Sequence, residues 1–212
     1  MKNVIFLAPP AAGKGTFSEF LTDKYGYQHI STGDLLRDEA ITNKELASKL
    51  LSGSLIDDAF VMNLVSLKLR SLKETDLFIL DGVPRTLEQA KSLESLIDYQ
   101  NLIVVYLDVH KDILLKRVLG RLVCPNCDRN YNLYFKSFCP KKQNRCDDCG
   151  VLLEKRTDDT EEAFLKRYQQ YLDRTQPILD FYEQKDLLIK ITNNSEDQTE
   201  ALHELMEVVH DN

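Results

Sequence analysis

Short, fully apolar runs alternate with longer stretches of helical periodicity along this chain. Residues 4–7 (VIFL), 77–80 (LFIL) and 102–107 (LIVVYL) are apolar at consecutive positions, as in strands buried on both faces. Residues 28–31 and 187–191 read as two further strands. Between them the spacing predicts helices over 13–25 (after a turn), 35–51, 57–72, 86–97, 110–119, 160–182 and 196–209. Thr32 or Asp34 caps the helix that follows the second strand, and Gly53 interrupts the pattern after residue 51. Residues 121–156 show no helical period and carry Cys, Pro, Asn and Lys instead, so they read as an insertion. The alternation predicts an α/β three-layer fold, with a parallel sheet of about five strands covered on both faces.

Composition narrows the class. Apolar residues make up 43% of the 212 positions, enough for a sizeable core. The formal charge of −7 disfavours sequence-independent binding to nucleic acid or an anionic membrane, so any bound anion needs a local basic pocket. No apolar run approaches the ~20 residues of a membrane span. The N-terminal MKNVIFLAPP is basic and then apolar, but it is too short for a signal peptide and runs into GKGT, so a cytoplasmic location is expected.

Two strings carry chemistry by their spacing. The first strand runs into APPAAGKGT (residues 8–16) and then a helix. Small residues ahead of a helix N-terminus let backbone N–H groups surround an anion, Gly13 and Gly15 allow close approach, and Lys14 reaches terminal phosphates. Thr16 is one residue further from the lysine than in the common GxxxxGK[ST] pattern, and the first position is Ala8. In the insertion, Cys124-Pro-Asn-Cys127 and Cys146-Asp-Asp-Cys149 have the spacing of two zinc knuckles. Four thiolates close the shell, so the metal is expected to be structural; Cys139 belongs to neither pair.

Beyond the loop, ISTGDLLR (30–37) and DGVPRT (81–86) complete a set of motifs that resembles adenylate kinases of the zinc-containing, long-lid type, a branch of the nucleoside monophosphate kinases. The resemblance runs from residue 4 to about residue 182. The family's usual loop reads GAPGAGKGT, so glycines are replaced at Ala8 and Ala11; if either position needs a positive φ, alanine costs about 1–2 kcal/mol. Val83 also departs, conservatively, from the usual DGFPRT.

The resemblance implies a P-loop fold with a core of residues 1–30, 58–120 and 158–212, a helical arm for the acceptor monophosphate (31–57) and a zinc lid (121–157). It implies ATP contacts at Ala12, Gly13, Lys14, Gly15, Thr16, Arg121 and Tyr131. It implies AMP contacts at Thr32, Arg37, Ile56, Gly82, Arg85, Gln89, Arg156 and Arg167, with Arg37 on the phosphate, Gln89 on the adenine edge and residues 53–56 giving backbone contacts to the base. Asp81 and Thr16 stand near Mg²⁺. Lys14, Arg85, Arg117, Arg121, Arg156 and Arg167 form a catalytic cage, and Asp158 and Asp159 match an acidic pair joining lid to core. The expected partners are ATP, AMP and ADP, the expected cofactors Mg²⁺ and structural Zn²⁺, and the expected state a monomer.

Two rivals share parts of the pattern. One is a kinase for UMP, CMP or GMP. The other is a nucleotide-gated zinc-ribbon module, for which the basic residues of the insertion (Arg121, Arg129, Lys136, Lys141, Lys142, Arg145, Lys155, Arg156) would bind RNA or a protein. Thr32 and Gln89 favour AMP, and the arginines flanking the insertion favour the kinase.

Overall fold

A computed structural model describes residues 1–51, 56–156, 159–195 and 198–210, with only the backbone of Leu51. In chain order the elements are β1 (Asn3–Leu7), α1 (Lys14–Tyr25), β2 (Gln28–Ser31), α2 (Thr32–Ala40), α3 (Lys44–Leu51), α4 (Asp58–Arg70), β3 (Phe78–Asp81), α5 (Leu87–Leu93), β4 (Leu102–Asp108), α6 (Lys111–Leu119), β5 (Arg121–Val123), β6 (Asn130–Asn132), α7 (Glu161–Glu183), β7 (Leu188–Thr192) and α8 (Thr199–His210). Five strands form one parallel sheet in the order β2-β3-β1-β4-β7, and β5 and β6 form a separate antiparallel hairpin in the insertion.

Strand side chains alternate between faces, so a run of consecutive apolar residues fills two cores at once. Val4 and Phe6 of β1 join Ile103, Val105 and Leu107 of β4 on one face, against Phe17 and Leu21 of α1, Leu114 of α6 and Leu205 of α8. Ile5 and Leu7 join Leu80, Leu102 and Val104 on the other, against Val61 and Val65 of α4, Leu93 of α5 and Tyr182 of α7. Each fully buried aliphatic side chain contributes about 1.5–3 kcal/mol of hydrophobic free energy.

Two local readings are corrected. Residues 35–51 are not one helix: α2 ends at Ala40, and α3 begins after Asn43, whose Oδ1 accepts the Leu46 N–H at 3.0 Å as a cap. The cap of α2 is neither Thr32 nor Asp34. Ser31 Oγ accepts the Asp34 N–H at 3.3 Å, which frees the Thr32 hydroxyl for the site below. Gly53, Ser54, Leu55 and Asp158 lie outside the described residues.

Candidate active site

The chain leaves the sheet after Leu7, turns with Ala12 N–H donating to Pro9 O at 3.3 Å, and enters α1 at Lys14. Two loop residues have positive φ: Gly13 at 101° and Ala11 at 63°. Ala8 does not, so only one of the two replaced glycines carries the left-handed cost. A Cβ on Gly13 would sit 3.1 Å from both Asn193 Nδ2 and Gln198 Oε1, whereas one on Gly15 would meet nothing within 4 Å. The first glycine is therefore needed for packing as well as φ, and the second faces open space.

The Ala12 carbonyl accepts two buried hydrogen bonds, from Arg117 Nη1 at 3.0 Å and Asn193 Nδ2 at 2.9 Å. In a trans peptide the N–H points opposite to the C=O, so this double anchor turns the Gly13 N–H away from the core. Arg117 Nη2 also donates to the carbonyls of Asn193 (3.1 Å) and Ser195 (3.4 Å), and the guanidinium lies over the Phe135 ring. Arg117, expected in the catalytic cage, directs its buried guanidinium to these backbone carbonyls and braces the loop from behind. Asn193, with no motif around it, was not foreseen.

Asp81 is the centre of the site. Parallel registry sets it beside Phe6 of β1 and Ser31 of β2, at the carboxyl ends of three strands. Lys14 Nζ lies 3.9 Å from its Oδ1 and His29 Nε2 lies 3.5 Å from its Oδ2. Burial pushes the Asp81 carboxyl up, but the His29 hydrogen bond and the charges of Lys14, His29 and Arg85 outweigh it and hold the group below its usual range. Burial pushes the Lys14 ammonium down, Asp81 raises it, and Arg85 lowers it again.

The acceptor-side residues gather round the next turn. Thr32 Oγ1 donates to Asp81 O at 3.3 Å, and Arg85 Nε donates to Gly82 O at 2.8 Å. Gly82 has φ 84°, and a Cβ there would collide with Thr32 Oγ1 and lie 3.0 Å from Arg85 Nη2. Gln89 Oε1 accepts the Arg85 N–H at 2.7 Å, and its Nε2 donates to Asp58 Oδ1 at 2.7 Å. Arg37 is exposed and pairs with Asp34; Ile56 packs at the edge of the core under α4. Burial pushes Arg85 below its usual range, Asp81 raises it, and Arg167, at the start of α7, lowers it. Arg167 thus lies within electrostatic reach of Arg85.

Arg121 forms a two-pronged pair with Asp159, whose side chain is only 2% exposed, and so ties the lid's first strand to the start of α7. Arg156 lies at the lid's return, its carbonyl accepting the Asp159 N–H at 3.2 Å.

The sulfurs of Cys124, Cys127, Cys146 and Cys149 lie within 4.8 Å of one another, and Cys127 and Cys146 are 3.7 Å apart. A tetrahedron with ~2.3 Å zinc–sulfur bonds has edges of about 3.8 Å, so the cluster fits zinc. Donors already surround it: Cys149 N–H and Tyr131 Oη each reach Cys146 Sγ at 3.4 Å, and Asn126 Nδ2 reaches Cys149 Sγ at 3.2 Å. Tyr131 and the Cys149 N–H hold the Cys146 thiol down to about 6. Cys139 stands apart, donating to Asn132 O at 3.2 Å. Tyr131, expected at ATP, is buried in the lid with Leu122 and Leu153, and its hydroxyl accepts the Asp147 N–H at 2.7 Å.

Besides Asn193, two residues of the site went unread in the sequence: Asp58, legible only as a helix start, and His29, legible only as a strand residue. Their partners are 31 and 52 positions away, and no local spacing encodes such pairs.

The adenylate kinase family model matches residues 6–187. Among curated proteins, the adenylate kinase of Thermotoga neapolitana is 42% identical over 202 residues, covering 90% of each chain. That of Thermosipho melanesiensis is 36% identical, covering 98% of this chain and 99% of its own. That of Archaeoglobus fulgidus is 38% identical, covering 89% of each. With a phosphate loop, an Asp81-centred cluster of cations and a four-cysteine lid in one parallel α/β fold, this chain belongs to the adenylate kinase family of nucleotide-binding phosphotransferases.

Proposed function

We propose that this chain catalyses ATP + AMP = 2 ADP. The observation that carries the reading is that the two halves of the site share one carboxylate: Lys14 of the phosphate loop and Arg85 of the acceptor side both lie in the field of Asp81. A donor phosphate held by the loop and an acceptor phosphate held by Arg85 would therefore face each other across a short gap.

The attacking AMP phosphate is already anionic, so little acid–base help is needed, and catalysis rests on positioning and on charge placed where the phosphoryl moves. The loop N–H groups, held by the Ala12 anchor, receive the ATP phosphates, with Lys14 on the terminal ones. Arg37 and Arg85 orient the acceptor phosphate, and guanidinium forks suit this dianion. Thr32, Gly82, Ile56 and Gln89 line the nucleoside. Arg121, Arg156 and Arg167 approach from the lid side, and Arg117 acts through the loop it braces. The Asp81 carboxylate and Thr16 hydroxyl are hard oxygen donors suited to Mg²⁺ and its waters. Magnesium, when bound with ATP, supplies charge neutralisation on the phosphates.

Water must be kept out or ATP would be hydrolysed. We assign the arm (31–57) and the lid (121–157) as the parts that close, with lid opening limiting turnover. Held by Cys124, Cys127, Cys146 and Cys149, a zinc ion would keep the lid one rigid body.

The test is ADP formation from ATP and Mg²⁺ with AMP, UMP, CMP or GMP as acceptor, for the natural protein and for Arg85→Ala and Arg167→Ala. AMP is expected to be preferred, and each variant is expected to lose about 10²-fold or more in kcat. Full activity in both variants would overturn the cage, and preference for another acceptor would overturn the substrate.

A further inference from the structure

We propose that Asp58 sets the selectivity for the acceptor base by fixing which end of the Gln89 amide is oxygen and which is nitrogen. The proposal rests on the reading of Gln89 as the residue that meets the adenine edge.

The two ends of a glutamine amide have nearly the same shape, and a half-turn exchanges an acceptor for donors. The surroundings of Gln89 are not symmetric. On one side stands the Arg85 N–H, which only donates, 2.7 Å from Oε1. On the other stands the Asp58 carboxylate, which only accepts, 2.7 Å from Nε2. A half-turn would set the amide oxygen against a carboxylate and the amide nitrogen against an N–H, losing both bonds at a buried position. Asp58 is itself held: the Thr86 hydroxyl donates to its Oδ2 at 2.6 Å, and Thr86 Oγ1 accepts the Gln89 N–H at 3.2 Å, so the same side chain caps α5 and orients the carboxylate.

An amide has two acceptor lone pairs and two N–H donors. Among the described residues one of each is used, leaving one acceptor and one donor in fixed order. Adenine offers a 6-amino donor beside a ring-nitrogen acceptor. A 6-oxopurine offers the reverse, an oxygen acceptor beside a ring N–H. In a fixed pose, the locked amide pairs with the first and opposes the second. Asp58 touches no substrate in this account; it is a positioning residue that acts through Gln89.

The experiment compares kcat/KM for AMP and for IMP, which differ at this edge and hardly in size, in the natural protein and in Asp58→Asn. An asparagine amide can present either end to Gln89 and so removes half of the lock. The AMP:IMP ratio is expected to fall about tenfold or more. An unchanged ratio in a folded Asp58→Asn enzyme, with both substrates weakened alike, would overturn the proposal and leave Asp58 a stabilising contact only. If Asp58→Asn does not fold, Asp58→Ser serves: its hydroxyl donates or accepts and suits a first helical turn, and the same ratio decides. AMP turnover by the natural protein is measured first. Without it the kinase reading fails and this proposal with it, whereas AMP turnover with an unmoved ratio sinks this proposal alone.

Discussion

Ala11 shows how much one methyl group weighs in the phosphate loop. It sits at φ 63°, where an L-residue costs about 1–2 kcal/mol, while the glycine that would relieve it gives back about 0.4–1 kcal/mol through the freer unfolded chain. Ala11→Gly is therefore expected to stabilise the protein by about 0.5–1 kcal/mol, raising Tm by about 1–4 °C in a calorimetric scan. A lower Tm would mean that the Ala11 methyl, packed at the edge of the core beside α1, contributes more than the strain costs. The sequence exposes the two replaced glycines but not which one matters, because φ is a property of the folded turn. The bracing role of Arg117 is hidden for a similar reason. An arginine in RVLGR before a lid looks like a phosphate ligand, and only the fold reveals that Ala12, Asn193 and Ser195 turn their carbonyls to it.

At the scale of elements, the strands were the most legible part. Continuous apolar runs at 4–7, 77–80 and 102–107 became β1, β3 and β4, since only a strand buried on both faces tolerates them. The helical reading of 35–51 failed because the apolar period runs on through a break that a single Asn43 cap creates. The lid was legible through its cysteines, yet its small apolar core of Leu122, Tyr131 and Leu153 shows why a metal would matter there. So small a core does not hold a fold alone, and metal binding there is folding free energy. Chelation is expected to collapse hydrogen-exchange protection across residues 121–156, by about two orders of magnitude or more, while β1, β3 and β4 stay protected. Stability of the lid should fall further than the intrinsic rate of transfer. Unchanged lid protection in metal-free protein, or turnover lost with the lid intact, would contradict this role for zinc.

For the whole molecule, the parallel sheet does one thing that no motif does alone. Its registry brings Asp81 level with Ser31 and Phe6, so the loop after β1 and the turn after β3 meet at one carboxylate. That meeting of donor and acceptor sites is the central claim, and it is tested most directly with a single nucleotide. The protein is given ADP and Mg²⁺ alone, and the products are followed by phosphorus NMR. The account predicts ATP and AMP in equal amounts, approaching equilibrium with no inorganic phosphate. AMP with phosphate and no ATP would make the site a hydrolase with water at the acceptor position. ADP left unchanged by folded, zinc-loaded protein would contradict transfer between two bound nucleotides altogether.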